Sequence, residues 1–189
     1  SEKYGLLVVN FANPSDFIIA QMLKSKINAF DVASISEVKL IRAHYFDSEI
    51  FFMNPVKARG SIKEAYTNYS VKNFCLDSFE ELKKINEETN NANDISCHLR
   101  IDVPNNWSAI NLSKKFGINK DEAPKLLKEL KKKFKKIGLS FHVGSQCTEP
   151  SAYENGLEIL KNIILKSKVK VDSLNIGGGF PSNYKNYES

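Results

Sequence analysis

The chain has 189 residues and 42% hydrophobic content, enough for one well-packed domain with a real core. Its net charge of +5 comes from lysines scattered along helix faces, without the arginine–aromatic interleaving of a nucleic-acid binder. Cys75, Cys97 and Cys147 are an odd, widely spaced set that indicates neither a disulfide framework nor a zinc site, and no apolar run reaches the roughly 20 residues that span a bilayer. Ser1-Glu2-Lys3-Tyr4 lacks the basic and apolar regions of a signal peptide, so the expectation is a soluble protein of the reducing cytoplasm, with no nucleic-acid or membrane partner and no metal.

In chain order, Leu6–Val9 is a compact β-type run, and Asn10–Asp16 a turn-rich connector. Phe17, Ile18, Met22 and Leu23 suit one helical face. The stretch Ala29–Ser34 predicts a short strand with polar residues at its end, and Glu37, Val38, Leu40 and Ile41 follow at helical spacing. The alternation continues: strand Ile50–Pro55, helix Ser61–Tyr69, strand Asn73–Ser78, helix Phe79–Asn86, strand Ile95–Ile101. A long polar connection through Pro104 and Trp107 precedes a helix over Asp121–Ile137. That helix carries Leu126, Leu127, Leu130, Phe134 and Ile137 on one side and a solvated lysine run, Lys131–Lys136, on the other. A strand then runs from Leu139 into LSFHVGSQC, a helix covers Tyr153–Leu165, and Val171–Ile176 is a last strand. Seven strands alternating with helices call for a parallel sheet and nearly complete an eight-fold β/α barrel.

Strand ends are where such folds keep their chemistry. His142 ends a strand beside Gly144 and Ser145, where the glycine leaves room for a ligand; a core histidine bonded to a carbonyl is the equal alternative. Gly177-Gly178-Gly179 expose backbone N–H groups around which a phosphate fits. Arg100 would sit at the barrel mouth, where a fixed cation suits a phosphate or carboxylate. Asp31 and Glu37 could bond a ligand or cap a helix. His98 and His44 read as structural, and Asp77 and Ser78 as a cap.

Four stretches, FDVAS (Phe30–Ser34), LSKKFG (Leu112–Gly117), SFHVGSQC (Ser140–Cys147) and NIGGGFP (Asn175–Pro181), resemble in order and spacing the pyridoxal-phosphate-dependent ornithine/lysine decarboxylases. Their fold is an alanine-racemase-like (β/α)8 TIM-type barrel, and the HVGSQ form also occurs in the related diaminopimelate decarboxylases. The resemblance implies pyridoxal 5'-phosphate as cofactor, with His142 stacked on its ring. Ser145 and Gly177, Gly178 and Gly179 would hold its phosphate, and Arg100, Asp31 and Glu37 would line the pocket. The implied reaction removes the α-carboxylate of ornithine or lysine as carbon dioxide, giving putrescine or cadaverine for polyamine synthesis, in a homodimer.

The sequence departs from that pattern in two places. The family's first strand ends in a lysine that bonds the cofactor covalently, in a stretch like A-V-K-A-N-P. Here the stretch is Val9-Asn10-Phe11-Ala12-Asn13-Pro14, with no lysine between Lys3 and Lys24. The family's eighth strand and C-terminal β-domain lie outside residues 1–189, so the expectation is an incomplete cofactor-binding barrel. The alternative is a catalytically inactive remnant that binds the cofactor phosphate or a protein partner.

Overall fold

The structure is a computed structural model that describes residues 9–10, 22, 27–104 and 115–181, the first two as backbone. It contains one seven-stranded sheet in sequential order, with every neighbouring pair parallel. The strands are β1 (Val9–Asn10), β2 (Ala29–Val32), β3 (Glu49–Phe52), β4 (Asn73–Leu76), β5 (Ser96–Arg100), β6 (Lys136–Ser140) and β7 (Ser173–Asn175). The helices between them are α1 (Ile35–His44), α2 (Arg59–Tyr69), α3 (Phe79–Glu88), α4 (Ala123–Lys133) and α5 (Pro150–Ser167).

Period-two alternation sorts the strand residues onto two faces. One face carries Phe30, Val32, Ile50, Phe52, Phe74, Leu76, Leu99, Ile137 and Leu139, all buried in a continuous core with helix residues such as Val38, Ile62, Ile85 and Leu127. The other face is polar and curls on itself. Contacts skip over strands: Phe51 meets His98 edge-on with ring centroids 6.0 Å apart, Cys75 Sγ lies 3.7 Å from Ser140 Oγ, and His98 Nε2 lies 2.9 Å from Ser173 Oγ. The Asp31 and Asn175 side chains interact electrostatically, which brings β2 to β7 across four intervening strands. A flat sheet would hold those two strands far apart, about 4.8 Å per step. The chain is therefore a partial β/α barrel, its polar face lining the interior.

Local chemistry fixes the helix starts. Ser34 and Ser78 cap α1 and α3, their hydroxyls accepting the N–H groups of Glu37 and Glu81. Proline stands in the first turns of α4 and α5, where its missing N–H costs nothing. The predicted helix over Asp121–Ile137 is shorter than its apolar spacing suggested. It ends at Lys133, and Lys136–Ser140 is already β6, because Ile137 and Leu139 alternate onto the sheet's buried face. Lys131, Lys132 and Lys133 occupy the last turn of α4, exposed and favourably placed at the negative end of the helix dipole. The stretch Phe17–Leu23 lies outside the described residues except for Met22, which is buried.

A buried ion pair ties the sheet to α3. Lys57, beyond the end of β3, donates from Nζ to Glu81 at 2.9 Å, to the Asn54 carbonyl at 3.0 Å and to the Cys75 carbonyl. Both side chains are almost wholly buried, and Lys84 supplies Glu81 with a second cation.

Candidate functional site

The C-terminal ends of the parallel strands converge on one mouth. β6 runs out at Ser140 and continues through Phe141 to His142, whose Nδ1 accepts the Gly144 N–H at 2.9 Å. That bond assigns the ring proton to Nε2 in the neutral form. Burial, followed by the Arg100 guanidinium, lowers the pKa of His142, so the ring at neutral pH is an uncharged flat surface.

β7 ends in the glycine turn, which packs directly on the His142–Gly144 segment. Asn175 Oδ1 accepts the Gly177 N–H at 2.8 Å, a side-chain turn of the kind asparagine favours. The Gly179 carbonyl accepts the Cys147 N–H at 2.8 Å. A Cβ on Gly179 would stand 1.8 Å from the Gly144 carbonyl oxygen, and φ is +90° there. A Cβ on Gly177 would come within 2.5 Å of the Phe141 carbonyl oxygen, at φ +72°. Only glycine fits either position. Gly178 stands over the imidazole, its hypothetical Cβ 3.9 Å from His142 Nε2. The N–H groups of Gly178 and Gly179 are not used in these contacts. Ser145 follows in the adjoining loop, half-buried.

Arg100 ends β5 in register with Ser140, its guanidinium 5.2 Å over the Phe116 ring. It faces Asp31 and His142 closely enough to act on both electrostatically. Burial raises the Asp31 pKa to about 7, with Arg100 and the Asn175 side chain opposing the rise and Glu37 adding to it. Glu37 itself is half-buried in the first turn of α1, where its carboxylate accepts the Ala33 N–H at 2.6 Å. It thus completes a variant of the capping box and reaches Asp31 only through space.

Of the sequence-predicted residues, the structure brings together Asp31, Arg100, His142 and the Gly177–Gly179 turn, with Ser145 beside them and Glu37 at the rim. His98 lies in the middle of β5, buried, and His44 is the exposed last residue of α1. Ser78 caps α3, whereas Asp77 instead accepts the Gly117 N–H at 3.0 Å. Sequence reasoning missed Asn175 as a site residue, although an asparagine two residues before a glycine turn is a local signal. It also missed Tyr153, whose hydroxyl donates to the Gly178 carbonyl at 3.2 Å across the α5–β7 gap. Among the described residues no group of three or more His, Cys, Asp or Glu is placed to hold a metal ion, and no helix is long and apolar enough to cross a membrane.

A cavity of about 350 Å3 opens at the other end of the strands, lined by Glu49, Lys72, Asn73, Asp94 and Lys136 among others. Within it Lys72 pairs with Asp94 at 2.7 Å, and Asn73 donates to Glu49 at 3.2 Å. The convergent donors lie at the opposite end, where a glycine turn, a cation and a flat imidazole suit a phosphorylated ring.

Fold and site together define a parallel β/α barrel domain whose C-terminal mouth suits an anionic, planar ligand. The model of one family, the pyridoxal-binding domain of the pyridoxal-dependent decarboxylases, matches residues 8–189, and the chain belongs to that family. It is 32% identical over 184 residues to the lysine/ornithine decarboxylase of Selenomonas ruminantium, covering 95% of this chain and 46% of that protein. It is 35% identical over 171 residues to the ornithine decarboxylase of Panagrellus redivivus, covering 88% and 38%. Among solved structures, the arginine decarboxylase of Paramecium bursaria Chlorella virus bound to agmatine superposes with a TM-score of 0.83 at 29% identity, covering 97% of this chain and 50% of that one. The chain thus spans half the length, or less, of these relatives. The cofactor of the matched domain is pyridoxal phosphate, and the glycine turn, Arg100 and neutral His142 fit its phosphate and its ring.

Proposed function

We propose that this chain is the cofactor-binding barrel of a pyridoxal-phosphate-dependent decarboxylase that acts on a basic amino acid, ornithine or lysine. The observation that carries the reading is the seating of the glycine turn on His142 with Arg100 and Asp31 gathered beside it. Gly177, Gly178, Gly179 and Ser145 would hold the phosphate. His142, neutral and flat, would support one face of the pyridine ring. The bound cofactor supplies an electron sink for the pair left behind when the substrate carboxylate departs as carbon dioxide.

The chain's own groups set the electrostatics around that event. Arg100 offers a fixed guanidinium to an anionic group, phosphate or carboxylate. Asp31, with its pKa raised to about 7 by burial, exchanges a proton near neutral pH at its carboxyl oxygens, beside Asn175. Glu37 keeps the Ala33 backbone in place and holds that pKa up. We place the working enzyme in the cytoplasm as a homodimer, in polyamine synthesis; the three unpaired buried cysteines support a reducing compartment.

The test is release of carbon dioxide from carboxyl-labelled ornithine, lysine and arginine by the purified protein supplied with pyridoxal phosphate. Release that depends on His142 and Arg100 supports the proposal; cofactor binding without release from any of the three overturns it.

One observation favours a second reading, an inactive barrel that holds the cofactor by its phosphate alone. No lysine lies between Lys3 and Lys24, and the Lys57 ammonium near the mouth is wholly engaged by Glu81, Asn54 and Cys75. The intact mass after borohydride reduction in the presence of cofactor decides between them. A covalent adduct sinks the second reading, and its absence sinks the first.

A further inference from the structure

We propose that Tyr153 is a positioning residue that sets the glycine turn for an anion by fixing the Gly178–Gly179 peptide. This inference rests on the reading that the turn receives the cofactor phosphate. The two ends of the turn are held by neighbouring strand and loop: the Gly177 N–H by Asn175 Oδ1 at 2.8 Å, and the Gly179 carbonyl by the Cys147 N–H at 2.8 Å. The central peptide is held from outside, by the Tyr153 hydroxyl, which donates to the Gly178 carbonyl at 3.2 Å.

A trans peptide is planar, and its C=O and N–H point in opposite directions. Fixing the Gly178 carbonyl toward Tyr153 therefore turns the Gly179 N–H away from α5. Glycine on both sides of that peptide removes the Cβ that would otherwise resist a flip. A flipped peptide would aim a carbonyl oxygen where the N–H now points, replacing a donor with a repulsive partner for an anion. The hydroxyl selects the donor orientation.

The tyrosine is itself well placed for this task. Its ring stacks on Phe180, one residue past the turn, with centroids 5.0 Å apart and planes 4° from parallel. Its helix is seated by Gly156, where a Cβ would meet the Phe141 ring at 2.5 Å, so α5 lies tight against the segment that carries His142. Burial raises the Tyr153 pKa, so the hydroxyl keeps its proton to donate.

Tyr153→Phe removes the hydroxyl and leaves the ring. Calorimetric titration would compare wild type and variant with pyridoxamine 5'-phosphate and with pyridoxamine, neither of which bonds covalently to an amine. The expected result is a loss of about fivefold in affinity for the phosphorylated compound, the size of one net hydrogen bond, with pyridoxamine unaffected and the melting temperature of the free protein retained. Unchanged affinity for pyridoxamine 5'-phosphate overturns the inference. An equal loss for both compounds also overturns it, since a merely structural role would weaken ring and phosphate contacts alike. Failure of the wild type to prefer the phosphorylated compound overturns the phosphate reading of the turn and this inference with it.

Discussion

Two groups on the barrel interior, the buried His98 and the half-buried Asp31, make opposite contributions to acid stability, and substituting either one unmasks the other. His98 is 3% exposed, with Nε2 on Ser173 and Nδ1 without a partner, and burial lowers its pKa from 6.5 to about 4. The unfolded chain binds the histidine proton first as pH falls, so this contribution is fully present above pH 6.5 and is lost as pH falls through about 4. At 1.36 kcal/mol per pKa unit the loss is about 3 kcal/mol. Asp31 behaves the other way: burial raises its pKa from 3.8 to about 7, so the folded chain binds the proton first as pH falls. Its contribution is fully present below pH 3.8 and is lost as pH rises through about 7, a change of about 4 kcal/mol. Between pH 4 and 6.5 the two slopes nearly cancel, and wild-type stability from these groups is flat. In Asp31→Asn the His98 slope stands alone, and stability should fall by about 3 kcal/mol from pH 6.5 to 4 relative to wild type. In His98→Leu the Asp31 slope stands alone, and stability should rise by a similar amount over the same interval. Urea unfolding at half-unit pH steps measures both, and the slope rather than the offset carries the result, because each substitution also changes packing. Carboxylates held low by ion pairs, such as Glu87 and Asp94, cancel in the comparison. A variant pair with parallel pH profiles would refute the opposed titration.

The remaining predictions concern packing and the turn. Gly138→Ala would place a methyl 2.4 Å from the His98 ring and 2.5 Å from Ser173 Oγ, and since the ring is buried the overpacking should cost about 1–3 kcal/mol, read as a lower urea midpoint. Gly179→Ala meets the Gly144 carbonyl at 1.8 Å with φ at +90°, so affinity for pyridoxal phosphate, followed by absorbance titration, should fall at least tenfold. Glu81→Ala leaves the Lys57 ammonium buried without its carboxylate and should destabilise the fold by about 3–5 kcal/mol in denaturant unfolding.

The fold was legible because its signals are local. Each strand of the parallel sheet reads as a short apolar or alternating run, and Ser34 and Ser78 mark helix starts in a form that survives any tertiary context. The one substantial boundary shift came where two periodicities overlap: Phe134 and Ile137 fit the helical spacing of Leu126, Leu127 and Leu130, yet Ile137 also alternates with Leu139. Burial on the sheet's outer face settled the overlap in favour of β6.

The site was legible only as far as its parts are contiguous. His142, Gly144 and Ser145 lie together in the chain, as do Gly177, Gly178 and Gly179, so each segment announces itself. What sequence spacing does not give is the curl of the sheet. Asp31 and Asn175 are far apart in sequence and on strands four removed from adjacency, yet their side chains interact. The same curl brings the polar face of β5 against β7, placing His98 on Ser173, and toward β2, placing Arg100 near Asp31. The raised pKa of Asp31 follows from that enclosure: on an open strand end the carboxyl would face water and titrate in its ordinary range. Closing the sheet therefore does more than bury a core. It converts a set of strand-end side chains, each with a routine capping or core explanation, into a mouth whose acid sits near neutrality beside an uncharged imidazole and a fixed cation.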